Sequence, residues 1–284
     1  QEFNLPEGSL YRVPGPVNLV RMTQLIDALP SPQLFFPKFV PGLAKQLKVG
    51  ESLIEKLQSG DVLLHHPFEA FDTVLDLLRE AVADPKVLAI KQTVYRAGAH
   101  SELIALLKEA VRRGKEVTVV VEIKARFDEQ TNIHYSELLE DVGAHVVYGV
   151  VGLKTHAKLM LITRRESTGL KRYAHLSTGN YNPATAKIYT DWGFMTASEA
   201  ITADVEQIFV HLASQHKLPK MNKLLMAPFM LQDAIVNQIE LLDRDAIGAE
   251  NANEVNHFLC QIQRTLRRKL FGLAPRRCLW RRRE

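Results

Sequence analysis

From residue 52 to residue 213 the chain alternates two hydrophobic periods, and that alternation limits its fold more than any other feature. Apolar runs rich in β-branched residues, such as Val87 to Tyr95 and Val117 to Ile123, are separated by stretches with apolar residues at helical spacing. A strand that is apolar at nearly every position has no wet face, so it must be covered on both sides. Phe68, Phe71, Val74, Leu75, Leu78 and Val82 recur as one stripe of a helix that can supply such cover. The same patterns predict strands at Asp61 to His65, His145 to Tyr148, Ala157 to Ile162, Tyr173 to Leu176 and Tyr189 to Met195. Helices are expected at Ser52 to Gln58, at Leu103 to Val111 between a Ser101 cap and Gly114, around His134 to Asp141, and at Glu199 to Ala213. A further strand is expected to start at Met221 to Pro228, with a helix from Leu231 to Leu242 behind it. The fold class is therefore α/β, a mixed or parallel sheet flanked by helices, with its chemistry in loops beyond the strands' carboxyl ends.

The first fifty residues contrast with this. Pro6, Pro14, Pro16, Pro30, Pro32, Pro37 and Pro41 each fix their own backbone and disfavour helix before them. They predict a linker with one helix between Val17 and Leu29. The opening Gln1, in place of Met, leads us to expect a fragment or processed piece. No apolar run reaches bilayer-spanning length and no signal-peptide pattern opens the chain. Cys260 and Cys278 stand alone and late, which fits a reducing cytoplasm and excludes a disulfide framework.

Charge is unevenly distributed. The formal net charge is +4, yet nine Lys or Arg fall between Ile262 and Glu284, leaving residues 1–261 at −4. A net acidic body argues against a general nucleic-acid surface and leaves room for a local basic pocket.

Candidate residues lie where the strands end. His66, Arg96, and Lys124 with Arg126 follow three successive predicted strands, and repeated arginines at strand ends suit phosphate oxygens. Gly152 to Ile162 sends a basic opening into an apolar strand, with His156 and Lys158 two residues apart and so on one side of it. An imidazole is a nucleophile for a phosphoryl group, and a neighbouring ammonium offsets the arriving negative charge. Taken alone, a His-x-Lys is more often a surface accident than a site. Asn180, in Ser177-Thr178-Gly179-Asn180-Tyr181-Asn182, could hold an oxygen or an imidazole, or belong to a plain turn. Tyr189 could stack on a base or be an ordinary strand aromatic. There is no HExxH, no zinc spacing of cysteines, no P-loop and no dinucleotide fingerprint.

Five segments carry a resemblance in order: His65 to Phe68, Ile90 to Arg96, Lys124 to Glu129, Lys154 to Lys158 and Thr178 to Asn182. From about Tyr11 to about Pro228 the chain resembles the bacterial polyphosphate kinases, through the end of their central domain and their first carboxy-terminal catalytic domain. The resemblance implies a phospholipase D-like fold and reversible transfer of the ATP γ-phosphate to inorganic polyphosphate through a phosphohistidine at His156. In the wider phospholipase D group an Asp follows the Lys after four residues; here that place is Thr163, which favours the kinase branch.

Arg96 and Arg126 match positions that the family associates with Mg²⁺, and Tyr189 matches a nucleotide contact. Two guanidinium groups are poor ligands for a cation that wants oxygen donors, so we expect them on phosphate oxygens with the ion nearby. Phosphoryl-transfer chemistry assigns Lys158 to transition-state charge and Asn180 to imidazole orientation.

The resemblance further implies ATP/ADP and polyphosphate as partners, a homo-oligomer for the full-length protein, and a cytoplasmic location with membrane association as an alternative. The expected organisation is residues 1–50 as a linker, 51–220 as the catalytic domain, 221–242 as the start of a truncated second catalytic domain, and 243–284 as a divergent, disordered basic tail. A frame disruption or truncation is our expectation for that tail. The competing readings are a phospholipase D-like phosphodiesterase or nuclease, and a non-catalytic remnant that binds polyanions.

Overall fold

A computed structural model describes residues 6–9, 11–15, 18, 21–29, 31–37, 39–98, 101–124, 128–150, 152–214 and 220–246. It divides into two units, residues 1–40 and 41–284. In the first, α1 covers Met22–Ala28, inside the helix expected at Val17 to Leu29.

The second unit is built on seven strands: β1 Val62–His66, β2 Val87–Val94, β3 Glu116–Val121, β4 His145–Val147, β5 Lys158–Glu166, β6 Gly169–Ser177 and β7 Asp191–Thr196. Its helices are α2 Leu53–Ser59, α3 Asp72–Ala83, α4 Glu102–Arg112, α5 Glu129–Glu140, α6 Glu199–Ser214 and α7 Leu231–Ala246. The sheet order is β1-β7-β6-β5-β2-β3-β4, parallel within β2-β3-β4 and antiparallel elsewhere.

Both faces are covered, as the continuous apolar strands require. On one face Ile90, Val117, Val119, Met160, Ile162 and Tyr173 pack under α2, α3, α4 and α5. On the other, Val120, Leu159, Leu161 and Ala174 meet Val205, Ile208, Phe209 and Leu212 of α6. Burying each such side chain stabilises the fold by about 1.5–3 kcal/mol before conformational entropy is counted.

Two local expectations change. Met221 to Pro228 forms no strand, because the buried Asp204 carboxylate accepts the backbone N–H groups of Asn222, Lys223 and Leu224 (2.9, 2.6 and 2.9 Å) that a ladder would use. Strand β5 begins at Lys158, so His156 lies in the loop before it and not on the strand. Helix α7 begins at Leu231 as expected and runs four residues past Leu242. The rest of the expected tail, from residue 247, lies outside the described residues.

The pairings make β1, β2, β3, β4 and β6 run one way and β5 and β7 the other. One edge of the sheet therefore collects the carboxyl ends of β1, β2, β3 and β6 together with the starts of β5 and β7. No described helix is long and apolar enough to cross a membrane.

Candidate active site

At that edge β2 gives way to Tyr95 and Arg96. Arg96 has a φ of 54°, a left-handed conformation uncommon outside glycine. The Asn182 amide holds this turn by donating to the Arg96 carbonyl at 3.2 Å, and Gly98 (φ 82°) lets that amide approach closely. The Arg96 Nε lies 3.3 Å from Asp128 at the start of α5, so the guanidinium is held in place.

The loop that delivers His156 is fixed from β3. Glu122, 6% exposed, accepts the Thr155 N–H at 2.6 Å with one carboxylate oxygen and the Lys124 N–H at 2.8 Å with the other. Its charge is thus engaged by backbone amides of the loop that carries His156 and of the stretch after β3. Lys158 is 5% exposed and donates to the His156 carbonyl at 2.6 Å. Burial pushes its ammonium group down to about 8, helped by Arg96 and Lys154 and opposed by Asp191. His156 itself is exposed, and its imidazole is held below the usual range by partial burial and then by Lys158, Lys154 and Arg96. The ring is open to solvent, and the positive charge around it favours its neutral form.

These groups share one aromatic neighbour. The Tyr95 ring centroid lies 5.1 Å from Lys154 Nζ, 5.4 Å from Lys158 Nζ, 5.3 Å from Arg96 Cζ and 5.4 Å, edge-on, from the His156 ring.

Beyond β6, the Asp191 carboxylate accepts the Thr178 hydroxyl at 2.8 Å and lies where any Cβ on Gly179 would have to be. The neighbouring Asn180 Oδ1 is a buried acceptor with no partner among the described residues. On the opposite flank, a cavity of about 500 Å³ borders Lys154, His156 and Ser177 and is walled by Ile208, Leu212 and Met226.

The structure thus brings His156, Lys158 and Arg96 together. Tyr189 stands 62% exposed on the loop before β7. Arg126 lies outside the described residues. His66 does end its strand at the same edge, but four strand widths from Arg96's strand, and it is buried: its Nδ1 bonds the Glu69 carbonyl at 2.8 Å. It serves the core. Tyr95 and Lys154 sit inside recognised segments without an assigned role, whereas Glu122 and Asp191 carry no local signal beyond being carboxylates near strand ends.

Among the described residues no group of three or more His, Cys, Asp or Glu could hold a metal ion. Arg96 is a cation already engaged by Asp128, and its chemistry does not fit a direct ligand of Mg²⁺.

Residues 52–218 match the family model described as polyphosphate kinase C-terminal domain 1. The polyphosphate kinase of Neisseria meningitidis serogroup A is 49% identical over 238 residues, covering 84% of this chain and 35% of that protein. That of Pseudomonas aeruginosa is 49% identical over 249 residues, covering 88% and 36%. The crystal structure of polyphosphate kinase from Porphyromonas gingivalis superimposes with a TM-score of 0.71 at 38% identity, covering 83% of this chain and 39% of that one. A phospholipase D family member from Salmonella typhimurium aligns at a TM-score of 0.43 and 12% identity, too loose a likeness to argue from. The chain spans about a third of the length of these kinases. An accessible histidine ringed by fixed cations lies inside the matched stretch, and on that match the chain belongs to the polyphosphate kinase family.

Proposed function

We propose that this chain carries the nucleophile-bearing part of a polyphosphate kinase active site and that His156 is the group phosphorylated. The observation that carries the reading is an exposed imidazole set edge-on against the Tyr95 ring that Lys154, Lys158 and Arg96 also border. A neutral ring nitrogen has a free electron pair, and three cations nearby favour the charge that accumulates on transferring phosphoryl oxygens.

In the proposed cycle an imidazole nitrogen forms a bond to the γ-phosphorus of ATP while the bond to the β–γ bridging oxygen breaks. ADP leaves with that oxygen and its electron pair. The terminal oxyanion of a polyphosphate chain then attacks the phosphohistidine, the P–N bond breaks, and the neutral imidazole is restored. Both steps run in reverse when ADP is in excess. Arg96 and Lys158 hold the oxyanions in both directions. The buried, unpartnered Asn180 Oδ1 supports a role in accepting a hydrogen from the imidazole or from the substrate. Tyr189, exposed on the loop before β7, supports a contact with the nucleotide. Mg²⁺, in this reading, arrives with the nucleotide's phosphates.

The test is labelling with [γ-³²P]ATP, on this chain and on a full-length relative side by side. Acid-labile, base-stable label that disappears in His156→Ala supports the reading. Label on the relative but none on this chain would place required groups in the two thirds of the length not spanned here. Label that survives His156→Ala in both would sink it.

A further inference from the structure

We propose that Tyr95 is a positioning residue whose aromatic face gathers Lys154, Lys158 and Arg96 beside His156 before any phosphate arrives. The inference rests on the phosphotransfer reading of this site and deepens it, by assigning to a neutral side chain the task of holding the anion-binding cluster together.

The physical problem is like-charge repulsion. Each cation lies 5.1–5.4 Å from the same ring centroid, so no two are more than about 11 Å apart, close enough for each pair to repel. Left alone, flexible lysines would turn toward water. The carboxylates near them are largely committed: Asp128 to Arg96, Glu122 to the Thr155 and Lys124 amides, and Asp191 to Thr178, with an attraction for Lys158. What the three cations share is the Tyr95 ring, 8% exposed and therefore largely desolvated. A cation over such a face is attracted by the ring's quadrupole, which offsets part of that repulsion.

The choice of an aromatic group has a chemical consequence. A carboxylate at this place would hold the cations more strongly, but it would neutralise them and have to be displaced by each incoming phosphate. The ring's quadrupole attracts the cations and leaves their charge available. The Lys158 Nζ bond to the His156 carbonyl and the Asp128 carboxylate beside Arg96 Nε anchor two of the charged ends. Tyr95 adds the one surface that all three share, the exposed Lys154 included.

A ring that only filled space would be indifferent to its own electronics, and that separates the two roles. Phenylalanine and a series of fluorinated phenylalanines placed at position 95 keep the ring's shape while draining its face of negative potential. The probe is inorganic tripolyphosphate, titrated calorimetrically into the full chain, with thermal unfolding measured on each variant. Tyr95→Phe should bind within about twofold of the unaltered chain, the trifluorinated ring about tenfold more weakly, and Tyr95→Leu at least as weakly as that. In the free protein the ε-methylene protons of Lys154 and Lys158 should be shifted upfield by the ring, remain so in Tyr95→Phe, and return to ordinary positions in Tyr95→Leu. Affinity that does not change along the fluorinated series, ordinary lysine shifts in the unaltered protein, or no tripolyphosphate binding by it overturns the proposal. Absence of phosphotransfer with the graded series intact would instead count against the kinase reading and leave Tyr95's role standing.

Discussion

The two ends of β5 hold basic groups in opposite ways. At its far end Arg164 is 15% exposed and is met by two carboxylates, Asp84 at 2.7 Å and Glu166 at 2.6 Å. Glu166 is itself bonded by the Tyr173 hydroxyl at 2.7 Å, which also receives the Gln58 amide at 2.9 Å. Burial would lower the guanidinium's pKa, but the two carboxylates outweigh it and hold it above its usual range. At the near end Lys158 is more deeply buried, and burial first, then two repelling cations, take its pKa down to about 8 against the attraction of Asp191. One strand thus ends where two carboxylates meet one cation and begins where three cations meet two carboxylates. The first arrangement serves the fold; the second keeps an attraction for an added anion.

The sharpest challenge to this contrast is to exchange the ends. His156→Gln at the near end should abolish phosphohistidine label, a loss of at least about a thousandfold, while Arg164→Met should label like the unaltered protein. Label lost from a folded Arg164→Met would break the distinction.

Between the ends, His175 on β6 separates burial from like charge. It is 1% exposed, its Nδ1 lies 2.8 Å from the Tyr181 hydroxyl, and its pKa is pushed down to about 3 by burial and then by His66. Its folded pKa lies below the unfolded value near 6.5, so the unfolded chain takes up the proton first as pH falls. Stability should therefore be unaffected by this group above about pH 6.5 and decline by roughly 4–5 kcal/mol between pH 6.5 and 3. Urea titrations over that range check the slope, which should flatten in His175→Gln. An unchanged slope would show that His175 is not the group responsible.

The far end should respond in stability where the near end responds in binding. Arg164→Met leaves Asp84 and Glu166 facing each other partly buried, and we expect a cost of about 2 kcal/mol in thermal unfolding with tripolyphosphate affinity unchanged. The smallest effect concerns pH at the near end. As pH rises through about 8, Lys158 loses its proton and the cluster one positive charge, so tripolyphosphate affinity should fall by up to about tenfold. In Lys158→Met the affinity should be lower throughout and this limb of the pH profile should vanish.

Much of this was legible in residue order. The strands and helices of the second unit follow from period and punctuation, because a covered strand and an amphipathic helix each have to match their own geometry. His156, Lys158 and Arg96 could be singled out, since they stand at predicted strand ends inside segments that resemble one family. The Met221 to Pro228 strand failed because its amide donors go to Asp204, a partner 18–20 residues away that no local pattern announces. His66 looked equivalent to Arg96, yet it is buried beneath the sheet edge.

What the sequence determined by itself is the set of elements, the family, and which side chains are able to accept a phosphoryl group or bind one. Tertiary structure decided which of those side chains meet. The reversal of β5 and β7 against their neighbours carries their starting residues to the same edge as the ends of β2 and β6. There Glu122 reaches the loop before His156, and there one tyrosine ring faces three cations. The physical reason is that propensity and period act over a few residues, whereas the charge, burial and pKa of a group depend on neighbours through space.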